Sequence, residues 1–297
     1  MNINTFKNKF LNNIYTEHKL AKYTWFGVGG NAEILFIPEE EICIEKFLKE
    51  KPTNCNVFTI GAGSNVLVRD NGINGITLIT NKLNKISIDA DGIITANCGA
   101  IDAQVARFAR EHNRTGLEFL IGIPGTIGGG IKMNSGAFGS EFKDVLIDVK
   151  AINHNGEYKI FSNNELEMEY RKIGLEAKWI FLSARFKTSY GERELIKEKM
   201  KKIIHSRKEA QPSGIKTGGS TFKNPFGKKA WQLIDQAGCR GLKIGDAMIS
   251  EKHCNFIINL KNASAQQIEE LGQKVKQKVF ENSGIKLNWE IERVGNK

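Results

Sequence analysis

The sequence predicts an α+β fold. Short apolar strands and hairpins are mixed with a few amphipathic helices, without the regular strand and helix repeat of a parallel α/β sheet. At 297 residues and 40% hydrophobic composition, the chain is long enough to bury more than one core. Glycine-rich loops interrupt the pattern, which indicates backbone that approaches a ligand or another segment closely.

The first predicted elements lead into a glycine loop. A strand is predicted over 32–37, an amphipathic helix over 39–51 and a strand over 57–60. The loop that follows, GAGSN at 61–65, lacks the Gly-Lys-Ser/Thr ending of a P-loop and the third glycine of a dinucleotide fingerprint. Its successive N–H groups can still form a nest for a diphosphate.

Two hairpins and a helix are predicted in the middle of the chain. Asp91-Gly92 and Asn155-Gly156 are strong turn dipeptides between apolar runs. An amphipathic helix is predicted over 101–112, and a further strand over 179–187.

The stretch from Gly116 to Gly139 is the richest in glycine. Pro124 fixes its own φ and favours an extended Ile123, and Thr126 is a candidate N-cap of a short helix. Unpaired N–H groups at the start of that helix would form a seat for an anion. The alternative is a turn whose glycines only allow two elements to pack tightly.

The last third has its own alternation of elements after a polar boundary at 188–193. The predicted elements are a charged helix to about residue 209, a helix over 229–237, strands over 247–249 and 256–259, a helix over 264–281 and a strand over 287–294. In the long helix Ile268, Leu271, Val275 and Val279 form one apolar stripe, which predicts a core-facing side.

Three short segments concentrate reactive groups. Arg171 follows Tyr170 in a turn, and an arginine fork suits a carboxylate. Segment 218–225, GGSTFKNP, brings a hydroxyl, an ammonium and an amide together beside glycines that leave the backbone free in conformation. On the terminal strand Glu290 and Glu292 would share one face. Each segment also has an interpretation without a functional role, as a surface turn, a loop or a water-facing strand.

Composition excludes several classes of function. The net charge of +10, from 43 basic and 33 acidic residues, attracts anions, but no groove-reading motif or interleaving of basic and aromatic residues indicates nucleic acid. No apolar run is long enough for a signal peptide or a membrane span, so a cytoplasmic protein without membrane contact is expected. Five scattered cysteines favour reduced thiols, and the histidine spacing favours no metal site.

Seven motifs occur in one order along nearly the whole chain. They are GAGSN at 61–65, GIPGTIGG at 122–129, NSGA at 134–137, YR at 170–171, GGSTFKNP at 218–225, SEKHCNFIIN at 250–259 and LNWEIERVG at 287–295. In this series the chain resembles the UDP-N-acetylenolpyruvoylglucosamine reductase (MurB) family, in its shorter second type.

The resemblance implies an FAD-binding fold of the vanillyl-alcohol-oxidase (PCMH) type in two subdomains, plus a C-terminal α+β substrate-binding domain. The expected domains are 1–190, with subdomains of about 1–60 and 61–190, and 191–297, with strand 287–294 returning to the active site. It further implies a monomer that carries non-covalent FAD. The enzyme would reduce an enolpyruvyl UDP-sugar to UDP-N-acetylmuramate for peptidoglycan, with NADPH as co-substrate.

The resemblance also assigns site residues. Cofactor binding falls on Gly61, Ala62, Gly63, Ser64, Asn65, Gly122, Ile123, Pro124, Gly125, Thr126, Gly128, Gly129, Asn134, Ser135, Gly136 and Ala137. The implied catalytic residues are Arg171, Ser220 as proton donor and Glu290; the candidate substrate contacts are Tyr170, Lys223, Asn224 and His253. Arg171 and Glu290 would stabilise charge that develops beside the substrate carboxylate, and Ser220 would protonate the adjacent carbon.

Two departures from the family pattern are visible. Glu292 stands where many members carry an arginine, and Arg293 follows it. Between Arg171 and Ser220 there is no insertion of the kind that carries a substrate-covering tyrosine in longer members. A flavin-dependent oxidase of another small molecule on the same fold is the alternative, although no histidine lies in a glycine loop where it could tether flavin.

Overall fold

The computed structural model describes residues 13–52, 55–176 and 178–297. The α-helices are α1 (Glu41–Glu50), α2 (Asp102–Glu111), α3 (Ile127–Lys132), α4 (Phe142–Val145), α5 (Arg193–Ala210), α6 (Ala230–Gln236) and α7 (Ala265–Ser283). The first strands are β1 (Ile14–Lys19), β2 (Asn31–Phe36), β3 (Val57–Ile60), β4 (Val66–Val68), β5 (Ile73–Ile79), β6 (Ile86–Ile88), β7 (Ile94–Asn97), β8 (Arg114–Thr115), β9 (Gly136–Ala137) and β10 (Ser140–Glu141). The remaining strands are β11 (Leu146–Asn153), β12 (Tyr158–Ser162), β13 (Trp179–Phe186), β14 (Ser189–Tyr190), β15 (Lys216–Ser220), β16 (Lys243–Ile244), β17 (Ala247–Ile249), β18 (Phe256–Asn259) and β19 (Glu292–Val294).

The chain divides by its contacts into two compact units. The first unit takes the described residues of Met1–Tyr15, Leu35–Ala62 and Ile76–Arg207; the second takes Thr16–Ile34, Gly63–Gly75 and Lys208–Lys297. The domains expected from the resemblance, 1–190 and 191–297, stay a prediction, because the units are defined by contacts and interleave along the chain.

The first unit is built on an antiparallel sheet of order β12-β11-β13-β7-β6. The predicted hairpin turns at Asp91-Gly92 and Asn155-Gly156 are confirmed, with Gly92 and Gly156 both at positive φ. Helix α2 buries Val105, Ala106 and Ala109 in the same core as the sheet. A separate pair, β3 and residues 76–79 of β5, runs parallel.

The second unit is built on an antiparallel sheet of order β15-β18-β17-β16 and on the long helix α7. Ser264 and Gln267 form a capping box at the start of α7, and Gly284 ends it at φ +70°. The predicted apolar stripe is confirmed, since Ile268, Leu271, Val275 and Val279 are all fully buried. Helices and mixed strand pairings in both units confirm the predicted α+β class.

The terminal strand is shorter than predicted. Only Glu292–Val294 forms a strand, β19, which runs parallel to β4. The preceding residues bind a different segment, because the N–H of Glu290 donates to the carbonyl of Thr221 at 2.9 Å. The hydrogen-bond partner changes before Glu292, whose N–H donates to the backbone carbonyl of Asn65. The prediction of one continuous strand over 287–294 is therefore wrong, and a shared face for Glu290 and Glu292 stays a prediction.

Within the described residues, no helix combines the length and the apolar character needed to cross a bilayer.

Candidate active site

The glycine segment 122–129 has the predicted backbone shape but not the predicted free donors. Ile123, ahead of Pro124, is extended at φ −102° and ψ 120°, and Thr126 is the N-cap residue of α3. The expectation of unpaired N–H groups is wrong for Ile127 and Gly128, which donate to the carbonyls of Ala100 at 2.9 Å and Cys98 at 2.8 Å. These bonds fix the start of α3 against the end of β7.

Asp102, the first residue of α2, lies behind this loop and was not predicted from sequence. Its side chain is fully buried, and neither carboxyl oxygen has a hydrogen-bond partner among the described residues. Burial raises the pKa of Asp102 well above its ordinary value, because it favours the neutral, protonated form of the side chain. No local pattern marks this residue, since its burial depends on a segment more than twenty positions away.

Two glycines of the predicted cofactor-binding segments leave room for polar side chains to approach the backbone. A Cβ on Gly125 would lie 2.7 Å from Oδ2 of Asp102, and a Cβ on Gly61 would overlap the hydroxyl oxygen of Thr126. The Thr126 hydroxyl is itself buried and has no hydrogen-bond partner among the described residues. In contrast, Gly129 is exposed, and the nearest atom to its Cβ position is 3.7 Å away. The Thr126 hydroxyl, buried and without a partner among the described residues, therefore lies near the exposed Gly129. This arrangement fits a bound cofactor that brings hydrogen-bonding groups.

Arg171 lies beside segment 134–137. It occupies a left-handed conformation, φ +55°, in the turn Glu169 to Lys172. Its guanidinium donates to the carbonyls of Asn134 at 3.5 Å and Gly136 at 3.4 Å and lies 5.0 Å from the centre of the Tyr170 ring. The structure therefore brings together two motifs that were predicted separately.

Asn134 holds this arrangement together. It is fully buried at φ +38°, and its amide donates to the Glu141 carboxylate at 2.9 Å and to the carbonyl of Glu169 at 3.2 Å. Its side-chain oxygen accepts from the N–H of Lys143 at 3.0 Å. These bonds tie the turn that carries Arg171 to segment 134–137, so Asn134 positions Arg171 through the backbone.

In the second unit, a hydrogen bond joins the backbone of Glu290 to Thr221, the residue after Ser220. Ser220 ends β15 directly after Gly219, which has φ +74°. The next residue, Thr221, accepts the N–H of Glu290 at 2.9 Å, and its hydroxyl accepts the N–H of Ile257 at 3.2 Å. Ser220 and Glu290 are both half-buried. Two residues seventy positions apart in sequence are thus brought to one place.

Asn65 joins the same part of the second unit. Its amide donates to the backbone carbonyl of Glu290 at 3.1 Å. Gly63, two positions earlier, has φ +68°, and a Cβ there would overlap the carbonyl oxygen of Tyr23. The end of the GAGSN loop is therefore shaped by the backbone around it and is anchored next to a predicted catalytic residue.

The predicted substrate contacts of the second unit differ in their surroundings. The N–H of Lys223 donates to the carbonyl of Asn288 at 2.9 Å, and the side-chain oxygen of Asn224 accepts the N–H of Ala230 at 2.9 Å at the start of α6. The ring of His253 packs on Phe256, with ring centres 4.8 Å apart. Burial lowers the pKa of His253, so its imidazole is neutral at pH 7.

Arg207 was also missed from sequence, because the lysine-rich helix α5 resembles a solvated face. Its guanidinium donates to the carbonyl of Gly122, and burial lowers its pKa. A methyl group on Gly122 would meet the side chain of Ile203, one turn earlier on α5. Helix α5 therefore supports the start of the glycine segment.

Arg293, next to the position of the missing family arginine, is engaged elsewhere in the second unit. It donates to the Glu269 carboxylate on α7 at 2.9 Å and stacks 4.6 Å from the centre of the Trp289 ring. Arg69 binds the same carboxylate through two nitrogens, at 2.9 and 3.0 Å. Glu269 is thus shared between two arginines.

Comparison with known proteins covers both units. Residues 32–162 match the family model described as FAD binding domain, and residues 211–294 match that of the UDP-N-acetylenolpyruvoylglucosamine reductase C-terminal domain. The chain is 47% identical over 280 residues to a protein of Rickettsia bellii with that reductase name, covering 94% of this chain and 93% of the relative. A reductase of Bradyrhizobium sp. is 46% identical, covering 96% and 93%. The crystal structure of the reductase from Thermus caldophilus aligns with a TM-score of 0.81 at 34% identity, over 93% of this chain and 97% of the solved one.

Proposed function

Since this chain belongs to the UDP-N-acetylenolpyruvoylglucosamine reductase family and is an FAD-dependent oxidoreductase, we propose that it reduces UDP-N-acetyl-3-O-(1-carboxyvinyl)-glucosamine to UDP-N-acetylmuramate with NADPH. The same proposal places the reaction in the cytoplasm, as a step of peptidoglycan synthesis catalysed by a monomer. The observation that carries the assignment of roles is the hydrogen bond from the N–H of Glu290 to the carbonyl of Thr221, which holds the backbone of Glu290 beside the residue that follows Ser220.

The first unit supplies the cofactor cradle in this proposal. Segment 122–129, with Gly61 and Ala62, would hold the diphosphate of FAD, and the family resemblance adds Gly63, Ser64 and Asn65 as cofactor contacts. When bound, FAD would supply the redox chemistry, which is the transfer of a hydride equivalent from NADPH to the substrate. The orphaned Thr126 hydroxyl and the open face at Gly129 support this placement.

The chain's own residues handle charge and the proton. Hydride addition at the terminal vinyl carbon leaves enolate character beside the substrate carboxylate. Arg171, next to segment 134–137, and Glu290 in its protonated form would act as preorganised donors to that charge. An alcohol is a weak acid, so Ser220 can protonate the adjacent carbon only because the intermediate is strongly basic and the hydroxyl is already in position.

The decisive experiment separates the two half-reactions of Ser220→Ala. Reduction of the bound flavin by NADPH should proceed nearly as in the wild type, because no proton is needed from Ser220 in that step. Turnover of the enolpyruvyl substrate should slow by about 10²-fold or more, as for loss of a general acid. Ser213→Ala, which changes an exposed serine ahead of β15, is the matched control and should leave both steps unchanged. Equal loss in both half-reactions of Ser220→Ala would contradict the assigned role.

A further inference from the structure

Phe226 is the most exposed large hydrophobic side chain of the described residues. Its ring is fully accessible to solvent, whereas the other phenylalanine of this loop, Phe222, is 1% exposed in the core of the second unit. A phenyl ring held in water contributes nothing to folding by burial. The chain therefore presents this ring without using it in its own core.

The ring stands at the tip of a tight turn. The N–H of Lys228 donates to the carbonyl of Pro225 at 3.0 Å, and Gly227 has φ +68°, so Phe226 and Gly227 are the central residues of a type II β-turn. Hydrogen bonds anchor both sides of the turn. Before it, the N–H of Lys223 donates to the carbonyl of Asn288, and after it the N–H of Ala230 donates to the side-chain oxygen of Asn224. These bonds, and not hydrophobic packing, fix the backbone that carries the ring.

The order of residues in this segment matches the order of groups along the proposed substrate. Ser220 is assigned to the reacting vinyl group, and Lys223 and Asn224 are candidates for the diphosphate. Phe226 comes two residues later, its Cα no more than about 7 Å from that of Asn224. The next group along the substrate after the diphosphate and ribose is the base, a flat ring with a π-face on which an aromatic side chain can stack.

We propose that Phe226 is a substrate-binding residue that stacks on the uracil base of the UDP-sugar. The inference rests on the proposed function, because it assumes that a uridine nucleotide is the substrate. Stacking needs an exposed ring face on each partner, and the turn exposes the ring of Phe226. Lys228 and Lys229, both exposed beside the turn, add positive charge where an anionic nucleotide would pass.

The test is calorimetric titration of the FAD-loaded enzyme with UDP and, separately, with inorganic diphosphate. Phe226→Ala should raise the Kd for UDP by roughly 5- to 100-fold, the usual loss when one stacked base loses its aromatic partner. Phe226→Trp should restore most of the affinity. Inorganic diphosphate, which has no base, should bind the wild type and Phe226→Ala equally. The matched control is Phe280→Ala, which removes a half-exposed ring from α7 and should leave UDP binding unchanged.

The outcomes separate this inference from the function on which it rests. Wild-type enzyme that binds UDP and turns over the enolpyruvyl substrate, together with an unchanged Kd in Phe226→Ala, would overturn the stacking role alone. Wild-type enzyme that neither binds UDP nor reduces that substrate would overturn both. Thermal melting and the flavin spectrum of Phe226→Ala should match the wild type, because the ring is outside the core.

Discussion

The buried carboxyl of Asp102 lies directly behind the backbone of Gly125. The N–H of Asp102 donates to the carbonyl of Gly125 at 3.1 Å, and Oδ2 lies 2.7 Å from the position that a Cβ of Gly125 would occupy. If this loop holds the diphosphate of FAD as proposed, an ionised carboxylate at this place would repel it. Burial reduces that conflict, because it raises the pKa of Asp102 and so favours the neutral form.

Asp102→Asn should therefore stabilise the apo protein in a pH-dependent way. An unfolded aspartate titrates near pH 4, and the folded pKa is raised, so the native state binds the proton more tightly. The free energy of unfolding of the wild type then falls as pH rises from about 4 to the folded pKa, by up to about 1.4 kcal/mol per pH unit. Asparagine does not titrate, so its advantage over aspartate should grow across that window and be constant below about pH 4.

Urea unfolding of both proteins at several pH values measures this difference. Asp91→Asn, in an exposed turn, is the control for a change of the same atoms at the surface. A constant difference between wild type and Asp102→Asn from pH 4 to 8 would show that the carboxyl is solvated and charged.

Two adjacent glycines of α3 should respond differently to alanine. A Cβ on Gly130 would overlap the ring of Phe142, which is fully buried, so Gly130→Ala should lower the free energy of unfolding by about 1–3 kcal/mol. Gly129→Ala meets only ordinary contact and should leave apo stability unchanged or raise it by up to about 1 kcal/mol. If FAD covers this face, the methyl group at 129 should nevertheless weaken FAD binding. Fluorescence titration with FAD measures that affinity, and wild-type affinity in Gly129→Ala would place the cofactor elsewhere.

The features that sequence predicted well are those set by neighbours in the chain. Asp91-Gly92 specifies a hairpin by its own turn chemistry, and the stripe of α7 follows from helical spacing alone. The grouping of Arg171 with segment 134–137 could be expected only through the family resemblance. No local pattern in either motif indicates that Asn134 bonds to the turn at Glu169.

The features that sequence missed depend on distant contacts. Asp102 resembles an ordinary first-turn acid of an amphipathic helix, and only the loop packed over it shows that its carboxyl is buried. Arg207 looks like one more charge on a solvated helix until Gly122 accepts its hydrogen bond. The terminal strand was overextended because residues 288–291 and 292–294 pair with two different segments, and periodicity does not report a change of partner.

Glu269 should contribute to stability through its two arginines. The side chains of Arg69 and Glu269 are 18% and 19% exposed, and the hydrogen bonds from Arg69 hold the pKa of Glu269 below its ordinary value. Glu269→Gln should lower the free energy of unfolding at pH 7 by about 1–3 kcal/mol, since two partly buried guanidinium groups lose their charged acceptor. Because a depressed carboxyl pKa stabilises only above the unfolded value near 4.3, the difference should shrink as pH falls below that.

The control for this prediction is Glu198→Gln on α5. Glu198 pairs with Lys201 at 2.7 Å, but the side chains are 53% and 60% exposed, so no measurable change is expected. Equal effects of the two substitutions, or an effect of Glu269→Gln that does not shrink as pH falls below about 4.3, would contradict the contribution assigned to the arginine pair.

Arg171→Lys should slow the second half-reaction selectively. The guanidinium of Arg171 reaches the carbonyls of Asn134 and Gly136 with its donors held in one plane, whereas an ammonium is a point charge on a flexible stem. If Arg171 stabilises the charge beside the substrate carboxylate, kcat with the enolpyruvyl substrate should fall by about 10²- to 10³-fold, as for loss of one preorganised donor. Flavin reduction by NADPH, followed by stopped-flow absorbance, should keep its wild-type rate. Lys172→Arg, at the exposed next position, is the control and should change neither step. A wild-type kcat in Arg171→Lys would mean that positive charge alone suffices here, and an equal loss in both steps would mean that Arg171 acts on the cofactor site and not on the substrate.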